Sequence, residues 1–206
     1  MFNFKSSKFQ VQSFKNKGFS LIEMLVVIAV FSIILSGLIG IFVSALRSQR
    51  YYLASQKLLD QTSYVMEYMS RSIRMAKKQT TDPSMPICLT INFTNYENPL
   101  SDDSKIRFIR NVQNDLKCQD FYLINKQIKQ KISTGGANFV ISNLTSDDIE
   151  VTSLKFILSG QNQPPSDYQQ PRITIFLEAE IKNINPTPKV KIQTTVSQRD
   201  IDIQEF

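Results

Sequence analysis

Glu23 is the residue whose type and position most demand an explanation. It is the single ionisable side chain in the 25 residues from Phe19 to Val43. A carboxylate inside so apolar a run is expensive on membrane-insertion scales, so its presence reads as functional. Its neighbours have a spacing that could do chemistry. In Lys17-Gly18-Phe19-Ser20-Leu21-Ile22-Glu23, Phe19 and Glu23 stand four residues apart, one turn along the same helix face. Gly18 has no side chain to obstruct a protease that must take an extended strand, and it breaks helix at that point. Cleavage after Gly18 would set a new cationic amine on Phe19 within a turn of the carboxylate. A plainer role is compatible with this one: Ser20-Leu-Ile-Glu23 is a capping-box pattern, in which Glu23 satisfies a free backbone amide at the helix start.

Other chemistry is thinly provided for. The 206 residues contain no His, no Trp and two Cys, which leaves a zinc site without imidazole and a Ser or Cys nucleophile without its usual base. No Gly-rich phosphate cradle occurs. Asp102-Asp103 and Asp147-Asp148 lack the spacing of a calcium loop and read as exposed loop acids. No metal and no cofactor is expected. Lys126, Lys129 and Lys131, interleaved with Phe121 and Tyr122, form a candidate strip for nucleic acid. The charge distribution argues against it. The chain carries +6, but Lys5, Lys8, Lys15 and Lys17 fall in residues 1–18 with no acid among them. Residues 19–206 hold 20 basic against 18 acidic side chains, too balanced for a nucleic-acid footprint, and a solvated sheet face is the commoner explanation.

The element that must position Glu23 is a helix. At about 1.5 Å per residue, 25 residues exceed the roughly 30 Å of bilayer hydrocarbon. A cleaved secretory signal has an apolar core of roughly 7–15 residues, shorter than this one, although Val43-Ser44-Ala45 is a small-residue site of the right kind. A single-pass anchor fits the length and the lysines before the span, with Arg47 and Arg50 close behind it, but gives Glu23 no role. A third reading uses every residue. The string from Lys17 to Glu23, followed by an unbroken apolar stretch, resembles the cleavage and methylation signature of type IV prepilins and type II secretion pseudopilins, over residues 15–45.

That resemblance implies a function as well as a topology. A membrane-embedded prepilin peptidase and methyltransferase would cut between Gly18 and Phe19 and methylate Phe19. Residues 1–18 would be a leader that stays cytoplasmic, leaving the mature chain single-pass in the cytoplasmic membrane until it enters a filament at the cell surface or in the periplasm. Glu23 would pair with the amino terminus of a neighbouring subunit, neutralising two charges that are unfavourable apart in an apolar core. The expected partners are other pilin or pseudopilin subunits, and the expected role is structural and non-enzymatic. A membrane-tethered adhesion or DNA-uptake binding module is the alternative.

Downstream, the implied architecture is α+β and pilin-like: a long amino-terminal helix packed on a mainly antiparallel β-sheet head. No Pro interrupts Phe19 to Lys78, so residues 19–43 read as the transmembrane half and 44–78 as an amphipathic half, with Gly37 and Gly40 as weak points. Leu58, Val65, Met69, Ile73 and Ala76 recur at helical spacing and predict a buried stripe. Tyr51, Tyr52, Tyr64 and Tyr68 suit either a lipid interface or packing between helix and sheet. Thr80 to Pro86 is a helix stop and link, and residues 79–206 read as the head. Strands are expected over 87–94, 105–110, 120–125, 127–133, 149–158, 172–181 and 189–196, separated by turn chemistry at 133–136, 162–165 and 185–188. The last two resemble the closing hairpin of minor pilins and J-type pseudopilins. Cys88 and Cys118 would lie in an oxidising compartment under the prepilin topology, where a disulfide between them would staple the head; two buried free thiols are the other reading.

Overall fold

The computed structural model describes residues 18–83, 85–112, 115–135, 138–160 and 169–199. Residues 1–17, and with them nearly all of the expected leader, lie outside that set, as do the separator at 162–165 and the residues beyond 199. The chain divides after Arg47 into two units.

The first unit is helical. Helix α1 (Leu21–Arg74) begins here and runs through Gly37 and Gly40 without a break, so the two expected weak points do not interrupt it. Neither glycine is pressed by any other part of the chain. Ser32 and Ser36 return their hydroxyls to the carbonyls of Ile28 and Ile33, at 2.8 and 3.1 Å. That satisfies both polar groups inside the helix and lets serine stand in an apolar stretch.

The second unit opens with the rest of α1, whose sequence now becomes amphipathic. Leu58, Val65, Met69 and Ile73 are buried as the spacing predicts, while Gln56, Lys57, Asp60, Glu67, Arg71 and Arg74 are exposed. The helix stops at Arg74, four residues short of the expected end. Ala76 is buried as foreseen, but in the short strand β1 (Ala76–Lys77).

Two antiparallel sheets follow. The first contains β1, β2 (Tyr96–Glu97), β3 (Lys105–Val112), β4 (Asp115–Ile124), β5 (Gln127–Gly135) and β6 (Asn138–Asn143). Its order is β1-β3-β4-β5-β6, with β2 also paired to β3. The β4–β5 hairpin closes on Asn125 and Lys126, both at positive φ, the conformation that matches a two-residue loop to the twist of its strands. The second sheet has the order β7-β8-β9, from β7 (Ile149–Ser159), β8 (Arg172–Ile181) and β9 (Lys189–Ser197).

Strand β8 has the expected alternation. Ile173, Ile175, Leu177, Ala179 and Ile181 are buried, and the residues between them are partly exposed. On the polar face, Glu178 and Glu180 sit opposite Lys191 and Lys189 of β9, with N–O distances of 2.7 and 3.0 Å. One core joins both sheets to α1, with Leu58, Met69, Phe108, Phe121, Phe156 and Ile175 among its members.

Two strand expectations fail. Residues 87–94 form turns. Gln79 gathers them: its Oε1 accepts the N–H groups of Cys88 and Leu89 at 3.0 and 3.2 Å, and its backbone exchanges bonds with Phe93 and Thr94. Successive N–H groups of a strand point to opposite edges, so two converging on one oxygen exclude extended pairing. Phe93 at φ 66° completes the departure. Conversely, strand β6 was not expected. Ser133 and Gly135 belong to β5, with a register shift between them, and the chain returns as β6 along a stretch read from sequence as neither strand nor turn.

Candidate functional site

Gly18, Phe19 and Ser20 precede α1 and are exposed, with Phe19 at 75%. The first turn forms on the Ser20 carbonyl, which accepts from the N–H of Glu23 at 3.0 Å and of Met24 at 3.2 Å. The capping box is therefore not made: the Glu23 amide goes to a main-chain oxygen. Among the described residues, neither the Ser20 hydroxyl nor the Glu23 carboxylate has a hydrogen-bond partner. Glu23 is exposed on the turn after Phe19, and no cation among the described residues pairs with it.

The surroundings are apolar and uncovered. Every residue from Gly18 to Arg47 is exposed, among them Leu25, Phe31, Ile33, Ile39, Ile41 and Phe42 at 58–73%. Water does not tolerate so large a continuous apolar surface, which calls for lipid or for other helices. α1 is long and apolar enough to cross a membrane.

In the second unit, Cys88 and Cys118 are paired as a disulfide, with their Cα atoms 5.6 Å apart. The bridge joins the turns at 87–94 to β4 and sits in a small apolar cluster with Leu89 and Ile109. The tyrosines separate: Tyr68 packs edge-on against Phe121 and donates to Gln130 Oε1 at 2.7 Å, whereas Tyr52 and Tyr64 are exposed at 66% and 68%.

The lysine and aromatic strip is not assembled. Phe121 is buried on the helix-facing side, and Lys126 is bound to Glu150 at 2.7 Å, which raises its pKa. Lys129 and Lys131 remain on the outer face with Tyr122. The acid pairs have local roles. Asp102 accepts from the Ser104 hydroxyl and amide, which hold its carboxyl below the ordinary range. Asp148 is held low by Lys57 of α1. No group of three or more metal-ligating side chains occurs among the described residues.

One ionic cluster escaped the sequence reading. Asp120, 3% exposed, receives two hydrogen bonds from Arg107 at 2.9 and 3.1 Å, and Lys105 stands 3.4 Å away. Its hydrogen bonds to Asp120 are the main cause of the raised Arg107 pKa. The three residues meet only through the β3–β4 register, in which Arg107 faces Asp120, so no sequence spacing announces them.

Comparison with known families identifies the prokaryotic N-terminal methylation motif over residues 13–39. No curated protein and no solved structure matches the chain. The motif covers Gly18, Phe19, Glu23 and the first turns of the exposed apolar helix, and that helix leads into antiparallel sheets in a pilin-like α+β arrangement. Together these features support a type IV prepilin-like protein, the likeness to the family model resting on residues 13–39.

Proposed function

We propose that the chain is a minor pilin or pseudopilin, a non-enzymatic subunit of a type IV pilus or type II secretion-like filament. Prepilin peptidase cuts between Gly18 and Phe19, Phe19 is methylated, and the cut chain enters the filament through its apolar helix. Residues 1–18 are the leader, 19–43 the membrane-spanning half of the helix, 44–78 its amphipathic half and 79–206 the head.

The observation that supports this reading best is the state of Glu23. Its carboxylate has no partner among the described residues, in an exposed and mainly apolar stretch. A charge left unpaired there is costly unless a cation neutralises it. The amine of Phe19 on a neighbouring subunit has the charge and position to do so.

Amino-terminal sequencing of the protein recovered from membranes is expected to begin at Phe19. A start at Met1 returns the chain to the class of uncleaved anchors. Glu23→Ala is expected to leave cleavage intact and to abolish incorporation into filaments, and normal incorporation removes the proposed role of Glu23.

A further inference from the structure

The first sheet ends in two unlike edges. At one, β6 pairs only with β5 and carries no charge, and Phe139, Val140 and Ile141 are exposed at 50, 57 and 49%. Natural edges are usually protected by a charge, a proline or a bulge; Asn138–Asn143 has neither charge nor proline, and the one register shift in its pairing lies at its start, opposite Ser133 and Gly135. The β5–β6 register puts Lys131 opposite Ile141 and Lys129 opposite Asn143, so both lysines share a face with Phe139 and Ile141. The Lys131 ammonium lies 3.8 Å from the centre of the Phe139 ring. Neither lysine has a carboxylate partner among the described residues.

The opposite edge, where β2 pairs with β3, borders an open groove of about 780 Å³. Ile91, Leu100 and Ile157 line it and are exposed at 64, 100 and 51%. Leu100 and Ser101 both take positive φ, 62° and 57°, a conformation that a leucine adopts only under constraint. The constraint is visible: buried Pro99 anchors the turn, and Asn98 Nδ2 donates to Asp103 and to the Phe156 carbonyl, each at 3.2 Å. The groove also holds the carboxylates of Glu97 and Asp103. They accept neutral hydrogen bonds from Thr90 and Asn98 and form no salt bridge among the described residues. Arg107, opposite Glu97 in the β2–β3 register, interacts with it electrostatically but is itself hydrogen-bonded to Asp120.

Two cations without a salt bridge among the described residues thus stand beside apolar side chains at one edge, and two carboxylates without one stand beside apolar side chains at the other. We propose that these surfaces are halves of one contact, in which the β5–β6 edge of one copy of this chain seats in the Glu97–Asp103 groove of a second copy. The occupant of the groove is the same chain because the matching charges and apolar residues both belong to it. A contact between opposite edges is head-to-tail and leaves a free edge at each end, the arrangement that builds open arrays rather than closed dimers. The proposal rests on the filament reading and specifies its head-to-head contact.

The test uses the full chain in membranes and in sheared filaments, with Phe139→p-benzoylphenylalanine as a photoreactive probe. The expected cross-link joins position 139 to residues 91–103 of another copy. A link from 139 to β6 of another copy, a link only to a different protein, or no copy-to-copy link overturns the contact. Lys129→Glu with Lys131→Glu is expected to lower the yield about tenfold through like-charge repulsion. Adding Glu97→Lys and Asp103→Lys is expected to restore it, and no recovery overturns the electrostatic basis. The same samples separate this proposal from the one it rests on. Absence of the chain from filaments defeats the filament reading, whereas chain in filaments without the link from 139 defeats only the contact.

Discussion

The apolar first unit and the second unit, which begins at Ser48, satisfy their side chains in opposite ways. In the second unit, α1 buries Leu58, Met69 and Ile73 against two sheets of the same chain. In the first unit the same helix leaves Leu25, Phe31 and Ile41 exposed and Glu23 without a partner among the described residues. Backbone geometry does not distinguish the two stretches. Side-chain pattern does: a stripe at helical spacing can be completed by the chain's own sheets, whereas a helix apolar all round must be completed by lipid or by other helices.

The contrast can be broken most severely in the core. Phe108→Ala is expected to destabilise the head by about 3–5 kcal/mol, because a large buried side chain is lost from a packed interior. Phe31→Ala should leave head melting unchanged. Near-ultraviolet circular dichroism of the detergent-solubilised chain would read both, and equal effects would erase the distinction. Next in size is the staple: replacing Cys88 and Cys118 by Ala is expected to lower head stability by roughly 3–4 kcal/mol on the chain-entropy model for a bridge of this span.

A charge placed in each stretch sharpens the comparison from the other side. Ile33→Arg should disfavour membrane insertion by about 2.5–3.5 kcal/mol and shift the chain out of the membrane fraction. Tyr64→Arg, on the exposed face of the head's helix, should change stability by no more than about 0.5 kcal/mol. The smallest effect concerns pH. Lys57 and Lys126 hold the carboxyls of Asp148 and Glu150 below their ordinary range. The stability these pairs add is present above the unfolded carboxylate pKa, about 4, and is lost as pH falls through the lower folded values. The head should melt at the same temperature at pH 7 and pH 5 and slightly lower below pH 4. A decline between pH 7 and 5 would contradict this assignment.

Elements written in a single period were legible from sequence, such as the alternation of β8 and the buried stripe of α1 after Ser48. Those decided by a distant side chain were not. Ile87, Leu89, Ile91 and Phe93 alternate as a strand would, yet one glutamine amide eight residues or more upstream draws their backbone into turns. Strand β6 hides for the opposite reason: Phe139, Val140 and Ile141 form a continuous apolar run with no alternation, because neither face of that edge is covered. At the candidate site, type and spacing single out Gly18, Phe19 and Glu23, and the methylation motif spans all three. The failure of the capping box was not legible, since Ser20-x-x-Glu23 reads the same whether or not the hydroxyl is used.

The last described residues impose an order on folding. The Arg199 amide donates to the carbonyl of Arg74 at 3.0 Å, and the Gln198 side chain donates to that of Ala76 at 2.9 Å. The carbonyls of the last residue of α1 and of the first residue of β1 are thus answered by residues more than 120 positions later in the chain. A helix made early must wait for the last strand before its terminus is closed, and contacts of such long separation form slowly. A chain interrupted before residue 198 would hold a nearly complete sequence and an unfinished head.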